Sequence, residues 1–147
     1  EEERKSIVRL IAEYNPFLLD VEFNTIQKDK KLASYLKKSK CKLLISWHDF
    51  KKTPNESQLK SRFKKMQKFS NVVKIVTVAK NVSDASRLLS LYSVKSKNKM
   101  VAFCMGDQGK FSRILCLHLG SPFTYVSLGK AIAPGQFSVD EIKSLEN

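Results

Sequence analysis

Three ionisable side chains recur at even intervals in the first half of this 147-residue chain: Glu22, His48 and Lys74, each 26 residues from the next. Each lies in or just after an apolar, β-branched stretch. Lys74 carries the most information. It interrupts Asn71-Val-Val-Lys-Ile-Val-Thr-Val-Ala79, a run that reads as a strand buried on both faces. An ammonium held there is short of water, and desolvation disfavours the charged form, so the amine is expected to be nucleophilic near neutral pH. Taken singly, each residue has a plainer reading: Glu22 as the cap of the following helix, His48 as a half-buried histidine, Lys74 as a strand-end lysine reaching solvent. Taken together, three ionisable groups on successive parallel strands converge on one pocket, because βα architectures build their ligand sites at the C-terminal edge of the sheet. Met105-Gly106 ends a further strand at that same edge.

The elements that must position these groups alternate. Ile7, Val8, Leu10, Ile11 and Tyr14 have helical spacing over residues 3–14, and Asn15-Pro16 stops that helix. Residues 17–23 follow as a strand, then a lysine-rich helix over 29–39 with Leu32, Tyr35 and Leu36 on one face. The second strand, 42–47, runs into His48. Thr53-Pro54-Asn55-Glu56 reads as a helix start, with Thr53 as cap and Glu56 closing a capping box, and Leu59, Phe63 and Met66 point inward. After the Lys74 strand, Ser83-Asp84 opens a helix burying Ala85, Leu88, Leu89 and Tyr92. Residues 99–105 form a fourth strand, 111–118 a helix, 123–127 a fifth strand, and Ser138 with Glu141 a capping box for a terminal helix. Strand starts near 17, 42, 72, 100 and 122 are one βα unit apart, which predicts a parallel sheet covered on both faces. In that alternation Trp47 points opposite to His48, towards the exterior.

With 42% hydrophobic residues the chain can bury a core as one domain. The net charge of +13 raises acidic partners, nucleic acid first. The lysines, however, are spread over helices and loops without an Arg-rich run or aromatic–basic interleaving, so they read as a solvated surface and not as a nucleic-acid site. Cys41, Cys104 and Cys116 are odd in number, far apart and set among apolar residues, as expected of reduced thiols in the cytoplasm. His118 beside Cys116 reads as packing and not as a ligand pair. No apolar run approaches a membrane span.

Asp20-Val-Glu-Phe23, Ser46-Trp-His-Asp-Phe50 with Lys52-Thr-Pro54, Val73-Lys-Ile75, Met105-Gly106 through Ser112-Arg113, Gly120-Ser-Pro-Phe-Thr124 and Ala133-Pro-Gly-Gln136 fall in a recognisable order. This order resembles type I 3-dehydroquinate dehydratase, over nearly the whole chain. The resemblance implies a (β/α)8 TIM barrel, of which about five βα units are readable here, so that residues 1–147 are the C-terminal portion of such a barrel. It implies a Schiff-base lysine at Lys74, a general acid/base histidine at His48 and a histidine-orienting glutamate at Glu22. It places a carboxylate-gripping arginine at Arg113, a hydroxyl-contacting glutamine at Gln136, and Met105 and Tyr125 as pocket walls. The reaction implied is a syn elimination of water from 3-dehydroquinate, giving 3-dehydroshikimate, with no metal or organic cofactor. The implied partner is that small molecule, with neither nucleic acid nor membrane; relatives often dimerise, so a homodimer is compatible.

The sequence departs from the family pattern in two places. The first three strands of the barrel, with their substrate-gripping residues, have no counterpart here. Ile132 also stands in the closing loop where many relatives carry a serine, and isoleucine cannot hydrogen-bond. Two other readings remain open: another Schiff-base barrel lyase such as a class I aldolase, and a non-catalytic module using the basic surface.

Overall fold

A computed structural model describes residues 2–145. Helix α1 (Glu2–Glu13) leads into strand β1 (Leu19–Glu22), a short helix α2 (Phe23–Lys28) and helix α3 (Lys30–Lys38). Strand β2 (Leu43–Asp49), helix α4 (Glu56–Met66), strand β3 (Val72–Val78) and helix α5 (Val82–Leu89) follow. Strand β4 (Lys99–Met105), helix α6 (Ser112–His118) and helix α7 (Val139–Leu145) complete the order. The four strands form one parallel sheet in sequence order, β1-β2-β3-β4, open at both ends. This is part of a TIM barrel wall, as the βα periodicity predicts.

Side chains alternate across the strands, so each face has its own composition. Val21, Ile45, Ile75 and Ala102 project to the outer face, where they pack against Leu32 of α3, Leu59 and Phe63 of α4, and Leu88 of α5. Trp47 belongs to this outer layer, under the Arg62 guanidinium 4.6 Å from its ring, as expected from alternation with His48. The opposite, inner face divides in two. Past Lys74 on β3, and over β4, it is apolar, with Val76, Val101, Phe103 and Met105 clustered against Phe123 and Tyr125. Over β1 and β2 it is polar, carrying Asp20, Glu22, Ser46 and His48.

The expected fifth strand does not pair. Residues 123–126 carry no strand assignment, and Ser127 makes only an isolated parallel bridge with Ser138. The edge amides of β4 explain why. Ala102 N–H donates to the Tyr92 hydroxyl at 2.8 Å and Cys104 N–H to the Ser112 hydroxyl at 2.8 Å, so side chains occupy positions a strand would need. The aromatic alternation at 123 and 125 reports burial across the inner face, with Tyr125 6.0 Å from Phe103.

Two helix starts also differ from expectation. Asn55, not Thr53, caps α4: its side chain accepts from Gln58 N–H at 2.9 Å, and Gln58, not Glu56, closes the capping box. Thr53 is buried instead, its hydroxyl 2.7 Å from that of Thr77 and donating to the Val78 carbonyl at 2.9 Å. Asn81 caps α5, accepting from Asp84 N–H. In both cases the cap lies two residues before or after the position that the local pattern favours: Thr53 is claimed by tertiary contacts, whereas Asp84 sits in the first turn of α5 and accepts from Lys80 N–H at 2.9 Å. The apolar stripe of α1 is the last difference: Ile7, Leu10, Ile11 and Tyr14 are exposed, and only Ala12 is buried.

Candidate active site

Strand register places the polar groups. Glu22 pairs with Ser46, and Ser46 with Lys74, so these three stand level across β1, β2 and β3 on the inner face. His48 lies two residues further along β2, opposite Val76. Equal spacing in sequence predicts Glu22, His48 and Lys74 in equivalent positions; the strand stagger instead sets His48 nearer the C-terminal edge. Ser46, small and 2% exposed, separates Glu22 from Lys74 at the same level.

Two hydrogen-bonded pairs result. The Glu22 carboxylate lies 2.9 Å from His48 Nδ1 and fixes the ring, which stacks on Phe50 at 5.7 Å and 10°. A carboxylate only accepts, so Nδ1 carries the proton and Nε2 is the nitrogen left to exchange one. Lys74 is buried, and its ammonium donates to Asp20 Oδ2 at 2.7 Å. It sits 4.6 Å from the Tyr125 ring centre and 3.5 Å from the Tyr125 hydroxyl. Burial of Lys74 follows the sequence reading, but that reading assigned no role to Asp20. The signal for it was in the sequence: Asp20 is two residues before Glu22 and therefore on the same face. Arg4, Asp20, Glu22, Asn24, Ser46 and His48 line an open cavity of about 530 Å³.

Arg113, Met105 and Gln136 lie on the β4 side. Arg113 is 2% exposed, with its guanidinium 4.4 Å from the Phe103 ring and Nη2 donating to the Pro134 carbonyl at 3.4 Å. Its Nε has no partner, and burial pushes its pKa down. Gln136 is buried too, its side-chain oxygen accepting from Ile132 N–H at 3.0 Å, so that oxygen braces its own loop. That loop is pinned to the end of β4 by Gly106 N–H donating to the Pro134 carbonyl at 3.1 Å. Tyr125 and Phe103 join the two halves, with Lys74 on Tyr125 and Arg113 on Phe103. Among the described residues, no three His, Cys, Asp or Glu side chains are placed to hold a metal ion.

The sequence model of type I 3-dehydroquinase matches residues 1–146. This chain belongs to the type I 3-dehydroquinase family. A 3-dehydroquinate dehydratase from Pyrobaculum aerophilum is 42% identical over 142 residues, covering 95% of this chain and 45% of that protein. One from Dehalococcoides mccartyi is 37% identical over 145 residues, covering 97% of this chain and 64% of that protein. The chain thus spans about half to two thirds of these relatives. Among solved structures, the type I enzyme of Clostridium difficile superposes with a TM-score of 0.85 at 26% identity, covering 98% of this chain and 59% of that one. Among the described residues, no helix is long and apolar enough to cross a membrane.

Proposed function

We propose that this type I 3-dehydroquinase chain is the C-terminal, single-domain portion of a barrel that dehydrates 3-dehydroquinate to 3-dehydroshikimate through an imine at Lys74. The observation that carries this reading is the buried Lys74 amine, held by Asp20 on the inner face and flanked by the His48–Glu22 pair. Lys74 condenses with the ring ketone, expelling water and leaving an iminium that acts as an electron sink. His48 Nε2 takes a proton from the adjacent carbon, and the electron pair moves into the iminium. The same imidazole then returns its proton to the departing hydroxyl as the carbon–carbon double bond forms. Glu22 holds the tautomer throughout. Hydrolysis of the conjugated imine releases product and restores the amine.

Arg113 fits the substrate carboxylate. A buried guanidinium with, among the described residues, no partner for its Nε is satisfied by an anion that arrives with the ligand. Met105 and Tyr125 form walls, and Gln136 reaches substrate hydroxyls through its amide. The substrate is a small molecule, and the three buried, free cysteines suit the reducing cytoplasm. That the Clostridium difficile structure was solved with covalently modified comenic acid supports a site able to make a covalent adduct.

The test is reduction with borohydride in the presence of 3-dehydroquinate, followed by intact and peptide mass analysis. The expected result is one reduced adduct on the Lys74 peptide. A folded sample that gains no mass overturns the reading. A second reading, a module binding polyanions, is favoured by the N-terminal edge of the sheet. There Lys37, Lys42, Lys97 and Lys99 line a cavity of about 680 Å³ with no carboxylate in its walls. It predicts binding to heparin that falls steeply with salt and is unaffected by Lys74→Ala.

A further inference from the structure

We infer that Asp20 is the proton carrier of imine formation at Lys74, a role separate from the acid/base work of His48. The inference rests on the reading that Lys74 condenses with a ketone. Asp20 Oδ2 is 2.7 Å from the Lys74 nitrogen, within direct proton-transfer distance. The two side chains meet across an intervening strand, since Asp20 pairs with Leu44 and Lys74 with Ser46. The small Ser46 side chain leaves that path clear. Lys74 is enclosed while Asp20 is open to the cavity: their side chains are 10% and 41% exposed. The carboxylate can therefore touch both the amine and an incoming carbonyl oxygen. Of the other groups lining the cavity, His48 keeps its free Nε2 for the carbon-bound proton of the elimination, and the rest are occupied or less suited. Glu22 is held by His48 Nδ1, the Tyr125 hydroxyl stands 3.5 Å from the amine, and Arg4 lines the cavity as a cation.

The step balances. Asp20 takes one proton from the Lys74 ammonium, and the freed amine nitrogen bonds to the ketone carbon as the carbonyl π pair moves to oxygen. A nitrogen proton passes to that oxygen, giving a carbinolamine. Asp20 then gives its proton to the hydroxyl, the carbon–oxygen bond breaks, water leaves, and the nitrogen lone pair forms the iminium. Asp20 ends as the carboxylate it began as. Amine, ketone and proton become iminium and water, and no other reactant is needed. A neutral amine alone does not replace Asp20, because the carbinolamine hydroxyl still needs an acid to leave as water.

The experiment compares wild type, Asp20→Asn and Asp20→Ala. Asparagine keeps the shape and a hydrogen-bond acceptor but cannot carry the proton. Each protein is treated in parallel with 3-dehydroquinate plus borohydride and with 2,4-pentanedione, a small diketone that labels amines through the same carbinolamine dehydration. Lys74 modification is followed by peptide mass, with surface lysines in the same sample as internal controls. The expected result is at least tenfold slower modification of Lys74 in both variants, unchanged surface lysines, and several-fold recovery of Asp20→Ala by added formate. Lys74 modified in Asp20→Asn at the wild-type rate overturns the inference, as does absence of formate rescue in folded Asp20→Ala. If wild type reacts at Lys74 with pentanedione and not with 3-dehydroquinate, the substrate reading fails while the diketone arm still decides the role of Asp20.

Discussion

Gly135→Ala is a direct probe of how the 132–136 loop is seated over the site. Gly135 has φ +69°, a left-handed conformation that costs a non-glycine residue about 1–2 kcal/mol. A methyl group there would also stand 2.5 Å from the Gly106 carbonyl oxygen and 3.0 Å from its carbon. These are backbone atoms and cannot rotate aside, so the loop must lift. Lifting breaks the 3.1 Å bond from Gly106 N–H to the Pro134 carbonyl, worth about 0.5–1.5 kcal/mol net. Together the seated loop loses roughly 1.5–3.5 kcal/mol, which is about ten- to three-hundredfold in its closing equilibrium. Hydrogen exchange over residues 130–137 should accelerate, and 3-dehydroquinate should bind more weakly by up to that factor, through displaced Gln136 and the lost Arg113–Pro134 contact. Global stability should fall much less, since the main core lies between the sheet and α3, α4 and α5. Gly129→Ala is the control, because a methyl group there meets nothing within 4 Å. A Gly135→Ala protein with wild-type exchange and wild-type affinity would refute the reasoning.

Further outcomes follow from burial and capping. Burial raises the Tyr92 pKa to about 12 and pushes those of Cys104 and Cys116 up as well. Each group is neutral in the fold while the unfolded chain ionises near its ordinary value, about 8.5 for cysteine and about 10 for tyrosine. Their contribution is therefore complete below about pH 8 and is lost as pH rises towards the folded values. Urea midpoints at pH 7, 9 and 10.5 should decline in that order, and a constant midpoint would contradict the assignment. Asn55→Ala should cost about 1 kcal/mol through loss of the α4 cap, whereas Glu56→Gln should leave the melting temperature nearly unchanged. Thr53→Val should cost about 1–3 kcal/mol by leaving the buried Thr77 hydroxyl without its nearest partner. If Glu56→Gln proves the more damaging of the two helix-start changes, the cap is misassigned.

Much of this architecture was legible from residue patterns. The β-branched runs around Ile45, Ile75 and Val101 determine strands, their spacing determines parallel βα units, and the lysine inside one such run determines a buried amine. Alternation was enough to send Trp47 outward and His48 inward. Caps were legible to within a few residues; the first slipped because a tertiary partner holds Thr53, the second because Asn81 takes the cap while Asp84 accepts from Lys80 N–H inside the first turn. The alternating aromatics at 123 and 125 have the pattern of a strand, and they report a partly buried surface. Burial without pairing leaves the same pattern, and the hydroxyls of Tyr92 and Ser112 on the β4 amides were what excluded a fifth strand.

By itself, then, the sequence determined the kind of fold and its family, since periodicity and residue type are local properties. Only the tertiary structure decided how the groups at the site are joined. Parallel register set Glu22, Ser46 and Lys74 level and carried His48 two residues beyond. It thereby gave Glu22 to His48 and left Asp20 to Lys74 across the width of β2. Such pairings depend on the stagger between strands far apart in the chain, and no single strand's pattern encodes it.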